Sequence, residues 1–307
     1  MDNFKCDISV IMLSFNTCNL TINAIKSVYE SIIDKTIVFE IIVVDNFSND
    51  NSANLVESEF PQVNVIRSNV NLGFGKGNNY GSKFAQGDYI LFLNTDTIVQ
   101  KGAIEKLLNG FKQSNKIGIV GPYLLNPDGS YQISIMSFPN AWRIFCLFFW
   151  LDKLFPSYKL FSDSFMLHAD INKKQFVEVI SGASLMIKRN LFYELKGFDE
   201  EFFMYFEEND LCKRCFDKGY LTLFVPESKV IHFGNQSSSS KPWWIYSILR
   251  KSRFIYAKKH LDIFQLSLIF LITHIGYFIR VILYFILGFF NPRFSVLSKN
   301  ILLSYLK

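Results

Sequence analysis

Polar side chains follow the apolar runs of the sequence at three places. In chain order they are Asn16, Asp45 with Asn46, and Asn94 with Asp96. An isolated ionised carboxylate is costly to bury, so Asp96, which interrupts the apolar stretch 89–99, needs a positive partner or water. Strand ends that simply meet solvent account for any one of these positions, but less well for all three. The pattern therefore predicts a ligand-binding cleft at one edge of a sheet.

Three acids follow the aromatic segment FFMYF at 202–206, namely Glu207, Glu208 and Asp210. A carboxylate near aromatic rings and other acids tends to have a raised pKa, which suits a general base. A structural interpretation is also open. Acids stabilise the start of a helix, and Asp210 could pair with Arg214 four residues on.

His232, in VIHFGNQSSSS, is a further candidate. A lone histidine more often has a structural role. If the strand-like segment 221–233 joins the same sheet, however, His232 reaches the cleft of Asp96. An aspartate, a histidine and a diphosphate together suit Mn²⁺ or Mg²⁺. We therefore expect a divalent-cation site at Asp96 and His232.

The glycine-rich stretch NLGFGKGNNYG occupies 71–81. It is a poor match to a dinucleotide-binding fingerprint, because Asn78 stands where the third glycine belongs and the stretch follows the third strand rather than the first. A nicotinamide-dependent oxidoreductase is therefore a weak alternative. The glycines, Gly73 first among them, still allow a ligand to approach the backbone closely, and a helix start favours an anion.

Apolar runs and helical spacing alternate through the first half of the chain. The predicted strands are 8–15, 39–46, 63–68, 88–94 and 117–125, and the predicted helices are 19–32, 52–60, 78–86 and 102–113. Continuous apolar strands that alternate with helices indicate an α/β domain with a mainly parallel sheet. Farther on we expect a strand at 184–188, a helix at 189–195 and a helix over LCKRCFDKG that ends at Gly219.

Composition narrows the class of protein. Half of the 307 residues are hydrophobic. The net charge is only +5, and the Lys and Arg residues are not concentrated in one terminal segment, so the composition does not indicate nucleic-acid binding. The five cysteines, with Cys212 and Cys215 in a helical stretch, favour a reduced compartment without a zinc site or a disulfide. The N-terminus lacks a basic start before a long apolar run, so we predict a first strand rather than a signal peptide.

The C-terminal part differs in character. Residues 245–260 mix Lys and Arg with apolar side chains, which predicts a basic amphipathic helix for a membrane surface. Residues 263–279 carry no charge, and Arg280 and a second apolar run follow. This length is borderline for a membrane span. The sequence is compatible with four structures here: a spanning helix, a re-entrant hairpin broken at Gly276, helices that lie in the interface, and a buried core or dimer helix. Segment 142–155 is a second candidate for membrane insertion.

Residues 6–260 resemble the family 2 glycosyltransferases, in particular their bacterial rhamnosyltransferase-like branch. The motifs that carry the resemblance are SVIMLSFN, IIVVDNFSND, NLGFGKGNNYG, DYILFLNTDT, SGASLMIKR, GFDEEFFMYFEENDLCKR and VIHFGNQSS. The resemblance implies a GT-A fold and an inverting transfer of rhamnose or another hexose from a dTDP- or UDP-sugar. By motif match it implies that the nucleotide contacts Asn16, Asp45, Asn46 and Ser48, and that Asn78 lies near the donor.

The same resemblance implies roles for the acids. Asn94-Thr-Asp96 matches the family's DxD position with Asn in place of the first acid, so Asp96 would bind the metal carried by the diphosphate. Glu208 falls on the position of the catalytic base, which is usually Asp, and Glu207 is next to it. Asp210 and Arg214 would support the loop of the base.

The expected organisation is a catalytic domain at 1–240 and a helical membrane-associating region at 241–307. We expect a location at the cytoplasmic face of a bacterial inner membrane and a glycan or lipid-linked glycan acceptor for O-antigen or capsule synthesis. Whether the protein forms a homodimer is left open by the sequence. Because Asn94 and Glu208 depart from the family's pattern, a catalytically idle homologue that binds donor without turnover stays an alternative.

Overall fold

The computed structural model describes residues 6–234 and 242–306. The chain divides into two compact units. The described residues of the first unit are 6–136, 170–203 and 207–234, and those of the second are 137–169, 204–206 and 242–306. The predicted domain boundary after residue 240 falls outside the described residues and stays a prediction.

All strands described lie in the first unit. They are β1 (Ile8–Ser14), β2 (Phe39–Asp45), β3 (Asn64–Arg67), β4 (Tyr89–Leu93), β5 (Thr97–Val99), β6 (Ile117–Leu125), β7 (Tyr131–Gln132), β8 (Ile135–Met136), β9 (Gln175–Val177), β10 (Val179–Ile180), β11 (Ser184–Lys188) and β12 (Leu221–His232).

The α-helices are divided between the two units. They are α1 (Cys18–Ser31), α2 (Ser52–Glu59), α3 (Phe74–Ser82), α4 (Ala103–Phe111), α5 (Ala141–Phe148), α6 (Leu151–Leu154), α7 (Lys159–Ser162), α8 (Arg189–Glu194), α9 (Glu207–Asp217), α10 (Pro242–His260), α11 (Ile263–Gly288) and α12 (Pro292–Leu306).

The central sheet has the strand order β3-β2-β1-β4-β11-β6-β12-β5. Strands β3, β2, β1 and β4 are mutually parallel, and β6 is parallel to β12. Strand β11 runs antiparallel between β4 and β6, and β5 runs antiparallel to β12. The prediction of a mainly parallel sheet is confirmed. Helices cover it, so consecutive residues of β1 such as Val10 and Ile11 are both buried.

The apolar stretch 89–99 forms two strands rather than one. Strand β4 pairs with β1 and β11 inside the sheet, whereas β5 pairs with the far end of β12. Asn94, Thr95 and Asp96 form the bend between them. The polar residues thus mark the point at which the chain leaves one part of the sheet for another.

Two helix predictions need correction. Helix α3 begins at Phe74, not at residue 78, so the glycine-rich stretch is itself helical. The bare Gly77 is required there because a Cβ would lie 2.5 Å from the Leu13 side chain. Helix α9 begins at Glu207, so the acids form its first turn instead of preceding it. Carboxylates at that end are stabilised by the helix dipole.

The second unit is helical, and its core joins side chains of α5, α10, α11 and α12. Helix α11 continues through Gly276, so the re-entrant hairpin broken at this residue is wrong. The physical reason is packing. A Cβ at Gly276 would collide with the ring of Phe148 on α5, and the glycine therefore serves a close helix contact.

All five cysteines are free, as the sequence predicts. Cys6, Cys146, Cys212 and Cys215 are buried, and Cys18 is half-buried. Burial raises the pKa of Cys6 to about 11 and the pKa of Cys215 to about 12. Burial also raises the thiol pKa of the other three.

Candidate active site

The predicted nucleotide-contacting residues lie together at the carboxyl ends of β1 and β2. Ser14 pairs with Asp45 in the sheet, so the chain leaves both strands at the same level. The Asn16 amide donates to Ser48 Oγ at 3.0 Å, and the Asn46 amide donates to the Ser14 carbonyl at 2.8 Å. One carboxylate oxygen of the buried Asp45 has no hydrogen-bond partner among the described residues, so it is available to a ligand.

The start of α3 is tied to this edge through Asn46. Its Oδ1 accepts from the Leu72 amide at 2.8 Å, and its Nδ2 donates to Asn71 Oδ1 at 3.1 Å. Gly73 has a φ of 76° and contacts the Phe203 carbonyl so closely that no side chain fits. Asn78 is buried and donates to the Phe74 carbonyl at 3.1 Å. Its described hydrogen bond is therefore within its own helix.

The bend after β4 brings Asn94 and Asp96 to His232. His232 Nε2 lies 3.2 Å from Asp96 Oδ1 and 3.4 Å from Asn94 Nδ2. Strand pairing causes this meeting, because His232 is opposite Thr97 in the β12–β5 ladder. The Phe233 amide also donates to the Asp96 carbonyl at 2.9 Å. The predicted juxtaposition of Asp96 and His232 is confirmed.

Gln132 determines which ring nitrogen of His232 carries the proton. Gln132 Nε2 donates to the His232 carbonyl at 3.1 Å and to Asn126 Oδ1 at 2.9 Å. A carbonyl can only accept, so the amide oxygen of Gln132 must face His232 Nδ1, 2.6 Å away. Nδ1 is therefore the donor. In the neutral ring, Nε2 carries a lone pair on the side of Asp96.

The pair of Asp96 and His232 fits a divalent cation. A carboxylate oxygen and an imidazole lone pair face the same space, and each is a common ligand. Among the described residues, no group of three or more His, Cys, Asp or Glu side chains is placed to hold a metal. Two protein ligands suffice where a diphosphate supplies the others, which is the usual arrangement for Mg²⁺.

Glu207 and Glu208 form a second centre at the start of α9. Glu207 is buried, and Glu208 is half-buried. Burial raises the pKa of Glu207 well above its usual value, and the neighbouring Glu208 carboxylate raises it further. Burial also raises the pKa of Glu208. Within residues 6–234 and 242–306, Oε2 of each side chain has no hydrogen-bond partner. A carboxylate in this state is a stronger base than one in water.

The chain itself connects this acid pair to the cleft. The Glu208 side chain packs beside Gly182, where a Cβ would lie 3.7 Å from that of Glu208. The next residue, Ala183, accepts from the Asn94 amide at 3.0 Å. On the other side, Glu207 approaches Gly75 of α3. Gly75 and Gly182 thus make room near the two acids.

Asp210 differs from its two neighbours. It is fully buried, and its Oδ2 accepts from Arg214 Nε at 2.7 Å. Arg214 also donates to the carbonyls of Leu195 at 2.6 Å and Gly197 at 2.8 Å. Asp210, through Arg214, therefore anchors α9 to the loop before it, and its supporting role stays a prediction.

Several side chains that organise the cleft have no signal in the sequence. Thr17 Oγ1 lies 3.0 Å from Thr95 Oγ1 and joins the ends of β1 and β4. Asp50 accepts from the Cys18 amide at 2.8 Å at the start of α1. Gln132 reaches His232 across 100 residues of sequence. None of these contacts is local, because the two partners lie 78, 32 and 100 positions apart in the sequence.

Residues 9–195 match the model of glycosyl transferase family 2. This range is more than half of the chain, and the protein belongs to the family 2 glycosyltransferases.

Two relatives are rhamnosyltransferases. The N-acetylglucosaminyl-diphospho-decaprenol L-rhamnosyltransferase of Mycobacterium tuberculosis is 26% identical over 233 residues, which are 72% of this chain and 75% of that protein. The rhamnosyltransferase WbbL of Escherichia coli is 26% identical over 180 residues, which are 55% of this chain and 63% of that protein.

Solved structures agree on the fold. Staphylococcus aureus TarS in complex with UDP-GlcNAc aligns with a TM-score of 0.56 at 18% identity, over 84% of this chain and 68% of that one. GalNAc-T7 with UDP, GalNAc and Mn²⁺ aligns with a TM-score of 0.56 at 17% identity, over 84% of this chain and 51% of that one. The fold is of the GT-A type, as predicted.

Proposed function

We propose that this protein is an inverting glycosyltransferase that moves rhamnose or another hexose from a nucleoside-diphosphate sugar to a glycan hydroxyl group. The observation that carries the proposal is the acid pair Glu207–Glu208. One oxygen of each carboxyl is buried, both pKa values are raised, and the pair packs beside the segment that holds Asn94. Raised basicity next to a nucleotide-type cleft is what activation of a hydroxyl group requires.

Glu208 is the proposed base, and the half-buried position leaves it within reach of an acceptor. It takes the proton of the acceptor hydroxyl as that oxygen bonds to the anomeric carbon. The bond from the anomeric carbon to the diphosphate breaks, and its electron pair leaves with the diphosphate. One displacement inverts the anomeric centre. The adjacent Glu207 carboxyl disfavours a second negative charge beside Glu208, because two buried carboxylates so close together repel each other.

In the proposed complex the donor extends across the edge of the sheet. Asn16, Asp45, Asn46 and Ser48 contact the nucleotide, and Gly73 and Asn78 border the donor. Asn94 lies toward the sugar. These roles rest on the placement of the side chains at one edge and on the unpartnered Asp45 oxygen. The nucleotide is dTDP or UDP.

Asp96 and His232 would hold a divalent cation, Mn²⁺ or Mg²⁺, together with the diphosphate. When bound, the cation neutralises negative charge on the leaving group. The hydrogen bonds to Gln132 keep the lone pair on His232 Nε2 directed toward the proposed cation site.

The proposed acceptor is a glycan, or a glycan on a lipid carrier, in the synthesis of a bacterial surface polysaccharide such as O-antigen or capsule. The cytoplasmic face of the inner membrane is the proposed location. The support is the rhamnosyltransferase relatives, one of them named for a diphospho-decaprenol substrate, and the apolar helix α11.

A screen of thermal unfolding tests the class of donor. Wild type and Asp96→Ala are compared with dTDP, UDP, GDP, their sugar conjugates and NAD(P)H, each with and without Mn²⁺. We expect stabilisation by one nucleoside diphosphate that depends on Mn²⁺ and is lost in Asp96→Ala. Stabilisation by NAD(P)H alone would contradict sugar transfer.

Slow hydrolysis of the bound sugar nucleotide separates an enzyme from an idle homologue without knowledge of the acceptor. We expect wild type to release nucleoside diphosphate and Glu208→Gln to bind donor without release. If wild type binds donor and never releases product, with hydrolysis or with membrane extracts as a source of acceptor, the idle homologue is the better description.

A further inference from the structure

One face of helix α11 is apolar along its entire length. Its exposed side chains recur at intervals of three, four or seven residues and form what we call the outer stripe: Phe264, Leu271, Ile275, Phe278, Ile282, Phe285 and Phe289. Phe278 is 65% exposed and Phe289 is 76% exposed. At the remaining helical position of the stripe, Ser267 donates to the Ile263 carbonyl at 2.7 Å, so its hydroxyl needs no water. A soluble protein rarely exposes so long an apolar surface.

The opposite face of α11 is covered by protein. Ile269, Thr273 and Tyr277 are buried in the core of the second unit. Arg280 also lies on this side, where it donates to the Leu147 carbonyl at 2.7 Å and its guanidinium lies 4.9 Å from the centre of the Phe148 ring. The single charge of the helix therefore does not enter the outer stripe.

The helices that cover α11 run beside most of its length. On α10, Tyr246 packs on Tyr277 and Phe254 packs on Phe270, with ring centres 6.1 and 5.5 Å apart. The exposed Lys251 lies between these two contacts and is thus level with the middle of α11.

Helix α12 flanks the second half of α11 in the same way. Ser298 Oγ donates to the Val281 carbonyl at 3.1 Å, and Tyr305 packs on Tyr277. Lys299, next to Ser298, is exposed. If α11 crossed a bilayer, Lys251 and Lys299 would be carried into the hydrocarbon with it. Lysines at that depth are strongly disfavoured.

The charge of this segment identifies the surface that it fits. Residues 242–306 contain eight Lys or Arg and a single acid, Asp262. Exposed cations beside an apolar helix face favour a membrane that contains anionic lipid, because the cations meet headgroups while the apolar side chains meet acyl chains. We propose that α11 lies in the plane of such a bilayer, with the outer stripe among the acyl chains. The proposal deepens the membrane location given under Proposed function and rests on it.

Vesicle binding is the first test. Wild type, the double variant Phe278→Glu/Phe285→Glu and the control Phe176→Glu are sedimented with vesicles of phosphatidylglycerol and phosphatidylethanolamine. Phe176 is 55% exposed on β9 and belongs to the first unit. We expect the partition coefficient to fall at least about tenfold in the double variant and to stay unchanged in the control. Equal binding of all three proteins would overturn the proposal.

The depth of single labels distinguishes a helix in the plane from a span. Spin labels are placed by Phe264→Cys, Leu271→Cys, Phe278→Cys and Phe285→Cys, which share one helix face, and exposure to oxygen and to a water-soluble nickel complex is compared. We expect similar depths at all four positions. A profile that is deepest near 271–278 and reaches water at both ends would show a span and overturn the proposal.

Two further readouts keep this inference separate from the proposed function. Binding of UDP and dTDP in detergent should be the same in wild type and in Phe278→Glu/Phe285→Glu, because the changes lie in the second unit. Loss of vesicle binding with intact nucleotide binding supports the proposal. Self-association through the stripe without vesicle binding, measured by light scattering, would overturn it and leave sugar transfer standing.

Discussion

Replacement of Gln132 by leucine tests whether this side chain prepares His232 for a cation. Gln132→Leu keeps approximately the same volume and removes two hydrogen bonds to His232, at 2.6 and 3.1 Å. A net hydrogen bond contributes about 0.5–1.5 kcal/mol. The two together therefore correspond to about 1–3 kcal/mol, or about 5- to 150-fold in the affinity for nucleoside diphosphate with Mn²⁺. Loss of an outer partner of a metal-binding histidine has effects of about the same size.

Calorimetric titration of UDP and dTDP, with and without Mn²⁺, measures the effect. We expect the loss of affinity in the presence of Mn²⁺ and little change without it. The control is Gln175→Leu, which likewise removes two hydrogen bonds of a glutamine side chain, here to the carbonyls of Asp170 and Lys173. Melting temperatures of both variants show whether the fold is retained.

Nitrogen NMR of the His232 ring provides a readout that does not depend on ligand. We expect the proton on Nδ1 in the wild type and a shift of population toward Nε2 in Gln132→Leu. Unchanged affinity together with an unchanged ring would refute the reasoning, since the hydrogen bonds to Gln132 would then not control His232.

Three more predictions follow from the site and from the helical unit. Glu208→Gln should keep donor affinity within about twofold and lower the transfer or hydrolysis rate by about 10²- to 10⁴-fold, as measured by release of nucleoside diphosphate; transfer at the wild-type rate would place the base elsewhere. Glu207→Gln should become more stable relative to wild type as the pH rises. Because the pKa of Glu207 is raised in the folded state, the folded protein keeps this proton at a pH at which the unfolded chain has lost it. The stability that the bound proton contributes is lost as pH rises through the folded-state pKa. A glutamine at this position has no such loss. Urea unfolding of both proteins from pH 5 to 8 measures their free energies of unfolding. A variant that loses stability relative to wild type as the pH rises would contradict the prediction. Gly276→Leu should lower the free energy of unfolding by about 1–3 kcal/mol, because the new side chain would meet the ring of Phe148. Urea unfolding measures the change, and an unchanged free energy would contradict the close contact between α11 and α5.

The parallel part of the sheet was readable from the sequence because its strands are continuous apolar runs. The predicted 39–46 and 117–125 correspond closely to Phe39–Asp45 and Ile117–Leu125. The gathering of Asn16, Asp45 and Asp96 followed from the rule that parallel strands end at one edge. Both results depend on local pattern alone.

What the sequence did not predict depends on long-range pairing. Nothing local in SLMIK indicates that β11 enters the sheet antiparallel between β4 and β6. The glycine at position 77 of α3 reflects the Leu13 side chain, which leaves no room for a Cβ there. Gln132 meets His232 only because β6 and β12 are neighbours. In each case the cause is a partner that lies far along the chain.

The burial of the cysteines has a practical consequence for labelling chemistry. A thiol with a pKa of about 11, such as Cys6, is ionised in only about one molecule in ten thousand at pH 7, and maleimides and peroxide react with the thiolate. Four of the five sulfur atoms are also shielded by packing. Reporter groups can therefore be attached at introduced cysteines against a low native background.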